Sequence, residues 1–242
     1  MQIIKNEFII KITQSAKNAV GSSIVLQIGI NGHQQIASTH PNATLRMEAG
    51  SPVVRKINLA PTHQQIQNIL TNNRNILFEL YLTELVQYWL DFLDNIYRKA
   101  LQDNLSGATK YSIPLTKCNV NFTLTGQMNL SQSLIDSACN DFNFLAASHK
   151  LKTVKKLLGI NLLLVANHET VIKTNIQVRN ILQHRKGIVC SSDLKKLNVR
   201  FITEDHGDTI SNIAAKDKIT RTGFDIENFV HSLIIIAKTL IP

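Results

Sequence analysis

The sequence predicts a mainly α-helical bundle with a small N-terminal β-containing extension. Three observations lead there. Residues 74–100 read as one long amphipathic helix. Further segments with helical periodicity follow it to the C-terminus. The first sixty residues follow a different pattern, with β-rich runs and turn residues.

In that first part, residues 8–12 and 23–30 are rich in β-branched and aromatic side chains. Asn31-Gly32 sits between an apolar run and His33-Gln34-Gln35-Ile36. An Asn-Gly pair accepts the positive φ angles of a type I′ turn, so a hairpin is expected there. Pro41, Gly50, Pro52 and Pro61 then punctuate a loop-and-strand stretch. Residues 1–62 are therefore expected to form a partly β accessory region. It is either a separate subdomain or an extension packed on the helices.

Residues 63–242 form the helical domain, with helical periodicity from about residue 64. In the 74–100 segment, Glu79, Thr83, Glu84, Gln87, Asp91, Asp94 and Arg98 fall on one side. The rest is filled by Phe78, Leu82, Leu85, Trp89, Phe92, Ile96 and their neighbours. So wide an apolar surface predicts a core helix of a bundle. Residues 101–130 are weaker in signal, and 120–124 fit a short strand or a loop. Helices are expected over 131–149 and 150–165. Lys150, Lys152, Lys155 and Lys156 open the second as a charge run of the solvated-face type. Asn167 suits the N-cap of a helix over 168–186, and Gly187 suits its stop. A last helix is expected over 226–240.

Composition narrows the function classes. The chain has 242 residues, 44% of them hydrophobic, enough for a substantial core. It carries 26 basic against 17 acidic residues, a formal charge of +9. That balance favours phosphate-rich partners such as nucleic acid. Cys118, Cys139 and Cys190 lack zinc-ligand spacing and read as small residues in a reducing cytoplasm. No apolar stretch approaches the roughly 20 residues needed to span a bilayer, so no membrane association is expected. Walker A, GxSxG, HExxH and GxGxxG patterns are all missing, and no cofactor or metal site is expected.

One stretch combines the groups of a phosphodiester-cleaving site. The sequence VIKTNIQVRNILQHRKGIV places Arg179, Asn180 and His184 in the last turns of a helix. Arginine offers a planar fork of donors to a phosphate. Histidine exchanges protons near neutral pH. Asn180 and His184, four apart, share a helix face, with Arg179 about 100° round from Asn180. The structural alternative is a surface His184 and an Arg179 paired with a carboxylate of the long helix. The spacing alone carries little: eight arginines and eight histidines give roughly 0.8 matches by chance. Arg200 and His206 are such a second match, in a strand-or-loop stretch with Glu204, Asp205 and Asp208 around the histidine.

The context of the first pair resembles the signature of HEPN domains. There an arginine, often followed by a polar residue, precedes a histidine by four to six intervening residues in an all-helical domain. Arg179-Asn180, His184 and the following Arg185-Lys186-Gly187-Ile188-Val189 carry the resemblance, which covers residues 64–242. It implies a HEPN-like helical bundle and a metal-independent endoribonuclease acting as a homodimer. The implied role is a toxin or phage-defence effector with a possible antitoxin or defence-system partner protein. His184 would move the proton of the ribose 2′-hydroxyl or of the leaving 5′-oxygen, giving a 2′,3′-cyclic phosphate. Arg179 would stabilise the charged transition state, and Asn180 would orient histidine or phosphate. Some members add an acidic residue from an earlier helix, for which Glu84 is the nearest candidate and Glu79 the second. The same resemblance covers non-catalytic HEPN modules that bind nucleic acid, nucleotide or a protein partner. A purely structural helical interaction protein is a third class.

Overall fold

The computed structural model describes residues 1–42, 62–72, 75–111 and 130–242. Its helices are α1 (Gln2–Thr39), α2 (His63–Asn72), α3 (Ile76–Ser106), α4 (Leu130–Asn143), α5 (Ala147–Leu158), α6 (Ala166–Arg185), α7 (Ser191–Leu197) and α8 (Gly223–Leu240). Between α7 and α8 lies a two-stranded antiparallel sheet, β1 (Ile202–Asp205) and β2 (Ile210–Ile213). Ile202 pairs with Ile213 and Asp205 with Ile210. Among the described residues no helix is long and apolar enough to cross a membrane.

Helix α3 is the axis of the bundle, as its sequence predicts. Leu82, Leu85, Val86, Trp89, Leu93 and Ile96 are completely buried, while Gln87 and Asp91 face solvent. Helices α1, α4, α5, α6 and α8 all pack against it. The helix runs six residues past the expected end and stops at Gly107, whose φ of 73° is the left-handed geometry of a helix C-terminus. The 120–124 segment lies outside the described residues.

The N-terminal β expectation is overturned for the described part of residues 1–62. Gln2–Thr39 is one helix of 38 residues, with Asn31-Gly32 inside it. Neither residue has the positive φ that a type I′ hairpin turn requires. The β-branched runs at 8–12 and 23–30 lie within this helix and not in strands. The buried positions Phe8, Ile12, Ser15 and Ala19 recur every three to four residues, a helical period. Packing then overrides β propensity. Phe8 stacks on Phe92 with ring centroids 4.3 Å apart, and Ser15 Oγ donates to Glu84 Oε2 at 2.6 Å. Phe8, Ile12 and Ala19 share one apolar core with α3. The loop-and-strand reading of residues 43–61 lies outside the described residues.

Three smaller expectations are corrected. The helix expected over 131–149 breaks after Asn143, where Ala146 is extended (φ −59°, ψ 147°) before α5 begins. The next one stops at Leu158 because Gly159 takes a left-handed conformation, φ 67°. Asn167 is not the N-cap of α6; that position is Val165, which supplies no side-chain cap, and Asn167 lies in the first turn. The lysine run is only partly a solvated face. Lys152 and Lys156 are exposed, but Lys150 is buried, with its ammonium 2.7 Å from Asp94 and 5.3 Å from the centre of the Phe142 ring. Lys155 reaches Glu169 of α6 at 2.9 Å. These pairs tie α5 to α3 and α6. Helix α8 opens on a capping box, Thr222 Oγ1 accepting from the Asp225 N–H and Asp225 Oδ2 from the Thr222 N–H.

Candidate functional site at the end of α6

Helix α6 buries Ile172, Val178 and Ile181 against the bundle and presents a second, outer face. His184 is exposed on that face, and among the described residues it has neither a hydrogen bond nor an ion pair. Asn180, half-buried, lies about 40° from it around the helix, by the 100° step per residue. Arg179 sits about 140° from His184 by the same rule. A single chain therefore brings Asn180 and His184 together and leaves Arg179 round the edge.

Arg179 is half-buried. Its Nη1 donates to Gln183 Oε1 at 3.1 Å, one turn on, while its buried Nε–H has no acceptor. Burial lowers the pKa of the guanidinium from its ordinary value. No carboxylate among the described residues pairs with it. A half-buried cation with one desolvated, unused donor costs stability, as expected of a group kept for another purpose.

Gln183 and Leu182 form one wall of an open groove of about 560 Å³ whose other wall is α3, through Ile76, Glu79, Leu80 and Thr83. Both acidic candidates line it. Burial raises the pKa of Glu79; Lys218 opposes that rise and Glu204 adds to it. Glu84 is held in place: Oε2 accepts from Ser15 and Oε1 from the Tyr88 hydroxyl at 2.8 Å. It anchors α1 to α3 at the far end of the groove.

The end of α6 is fixed by a network that the sequence reading did not pick out. Asp193, fully buried in α7, accepts from Gln177 Nε2 at 2.8 Å, from the Cys190 N–H at 2.9 Å and from the Arg185 guanidinium. Burial pushes this carboxyl up. The Cys190 N–H, Arg185 and Gln177 together outweigh it and hold the pKa below the usual value. The visible signal is an acid three residues after Cys190 at the start of a helix. The predicted stop at Gly187 stands. Lys186 and Gly187 both take left-handed conformations, φ 53° and 85°, and a Cβ on Gly187 would meet the Ile219 carbonyl oxygen at 2.8 Å.

The second Arg/His pair has the context expected of a chance match. His206 follows strand β1, with its Nε2 3.3 Å from Glu204. Among the described residues no group of three or more histidine, cysteine, aspartate or glutamate side chains is arranged to hold a metal.

Comparison with protein-family models, with curated proteins and with solved structures finds no match to this chain.

Proposed function

We propose that the chain is a HEPN-type, metal-independent endoribonuclease that works as a homodimer. The observation that carries this is the state of His184. It is exposed in the last turn of a rigidly anchored helix, has no partner, and shares a face with Asn180. An imidazole so placed is free to exchange protons with a bound RNA. Arg179, with one donor unused, supplies positive charge for the pentavalent phosphorus. Because Arg179 and His184 diverge on one chain, the complete site draws on two copies, as the HEPN resemblance implies. The net charge of +9 attracts RNA to it. On the same resemblance the biological role is that of a toxin or phage-defence effector.

That divergence also favours a second reading, a non-catalytic HEPN module that binds RNA or a protein through the same face. One experiment separates them. Wild type and His184→Ala are incubated with a mixed RNA pool in EDTA, and product ends are mapped. The expected result is cleavage with 2′,3′-cyclic phosphate ends by wild type and none by the variant. RNA retained without cleavage supports the binding module, and equal cleavage by both proteins removes His184 from the chemistry.

A further inference from the structure

Residues 142–168 contain four lysines, two histidines and no acidic residue. They run from the end of α4 through α5 into the first turn of α6. Two of the lysines are used inside the fold, Lys150 on Asp94 and Lys155 on Glu169. Lys152 and Lys156 are not. They lie one turn apart on the side of α5 away from the buried Lys150, Val154 and Leu157. Both are exposed, and neither has an acidic partner among the described residues. The turns at the two ends of α5 hold the three most exposed large apolar side chains among the described residues: Leu164 at 99%, Phe144 at 83% and Leu163 at 76%. Each turn hangs on a buried neighbour. Phe142 stacks on Tyr97 with ring centroids 4.1 Å apart, and the Leu145 N–H donates to the Phe142 carbonyl at 3.1 Å. Leu162 is buried, and the Val165 N–H donates to its carbonyl at 3.0 Å, closing a turn of 3₁₀ helix over Leu163–Val165. The Leu163 N–H donates to Asn161 Oδ1 at 3.0 Å. Single exposed apolar residues are ordinary, but adjacent ones held out at both ends of one basic helix mark a surface for contact.

We propose that the outer face of α5, with the turns at its two ends, docks on an anionic lipid surface. Such a surface offers the two things this segment lacks in its own fold. Negative headgroups complement Lys152 and Lys156, whose long stems let the ammonium groups stay at headgroup level. The acyl boundary just beneath takes Phe144, Leu163 and Leu164, as it takes the apolar side of helices that lie in the interface. Helix α5 has 12 residues and is therefore about 18 Å long, so its two tips are separate points of entry. RNA would satisfy the lysines but has no apolar layer for the three open side chains. Docking of this kind is peripheral and needs no membrane-spanning helix. It is independent of the ribonuclease reading, because it uses none of Arg179, Asn180 and His184.

The test is flotation of the full chain, without RNA, on vesicles of phosphatidylcholine alone and of phosphatidylcholine mixed with phosphatidylserine. Wild type is expected on the mixed vesicles, to be absent from the neutral ones, and to be released by high salt. Lys152→Gln combined with Lys156→Gln should lower the partition coefficient about thirtyfold, the effect of two basic side chains beside such a surface. Leu163→Ser combined with Leu164→Ser should lower it at least about tenfold. All four positions are exposed, so the far-ultraviolet circular dichroism of both variants should match wild type. Ile210→Ser, at an exposed apolar residue of β2, should float like wild type. Absence of wild type from the mixed vesicles overturns the proposal, as does equal binding to neutral ones. Wild-type flotation of the leucine variant reduces the effect to the general attraction of a basic protein and also overturns it. Retention of RNA should be the same in the leucine variant as in wild type; its loss there assigns the tips to RNA and not to lipid.

Discussion

Replacing Gly32 by alanine distinguishes a helical N-terminus from a hairpin by the sign of one stability change. Gly32 lies seven residues inside the C-terminal end of α1, and a Cβ built there meets nothing within 4 Å. In a helix interior, alanine is favoured over glycine by about 1 kcal/mol, because glycine loses more backbone entropy on folding. Stability should therefore rise by about 0.5–1 kcal/mol. For a chain of this size that corresponds to roughly 1–4 °C in Tm. In a type I′ turn the same residue would need positive φ, and alanine would cost about 1–2 kcal/mol. The assay is urea unfolding of wild type and Gly32→Ala followed by circular dichroism at 222 nm. Gly29→Ala, also in open space within α1, should add a similar increment. A loss of stability in Gly32→Ala, or a fall in helical signal, would refute the single-helix account of α1.

Asp193→Asn should lower stability by about 3 kcal/mol at pH 7, since it removes a buried carboxylate that accepts from three donors. The folded-state pKa of Asp193 lies below its unfolded value. Its contribution is therefore complete above the unfolded pKa of about 3.9 and is lost as pH falls through the folded one. The gap between the two proteins, measured by denaturant unfolding, should be constant from pH 7 to about pH 5 and close below pH 4; a gap that widens on acidification contradicts the assignment. Gly187→Ala places a Cβ at positive φ and 2.8 Å from the Ile219 carbonyl oxygen, so it should cost at least about 2 kcal/mol, read as a lower Tm. Arg179→Met removes a half-buried charge with one unpaired donor, so thermal stability should stay within about 1 kcal/mol of wild type or rise. Its RNA cleavage should nonetheless fall at least about a hundredfold, and intact cleavage would place the phosphate contact elsewhere.

What was legible in the sequence follows from how local each determinant is. The wide apolar surface of α3 and the chemistry around Gly187 act within a few residues, and both were readable. Helix α1 was misread because its Ile, Val and Gly residues have weak or contrary helix propensity. What holds its first half helical is Phe8 on Phe92 and Ser15 on Glu84, contacts across 84 and 69 positions of sequence. The same applies to the lysine run, where nothing near Lys150 announces its pairing with Asp94 on another helix. At the candidate site, helical spacing correctly placed Asn180 with His184. The anchoring of Glu84 by α1 and the network on the buried Asp193 both depend on residues outside the motif.

The backbone closure just beyond α6 has a consequence for topology. Ile219 N–H donates to the Gly187 carbonyl at 2.8 Å, Val189 N–H to Asp217 and Lys216 N–H to Val189. These bonds draw the two ends of the 187–219 excursion together like a purse string, with α7 and the β-hairpin hanging outside the knot. The separation of the two ends is then set by the knot and not by the length of chain between them. Added residues at the hairpin tip, near Gly207, would raise the closure entropy only as the logarithm of loop length, about 0.6 kcal/mol per doubling. The excursion is thus a tolerant place for insertion, whereas the five positions of the knot fix the last turn of α6 to within the reach of a hydrogen bond.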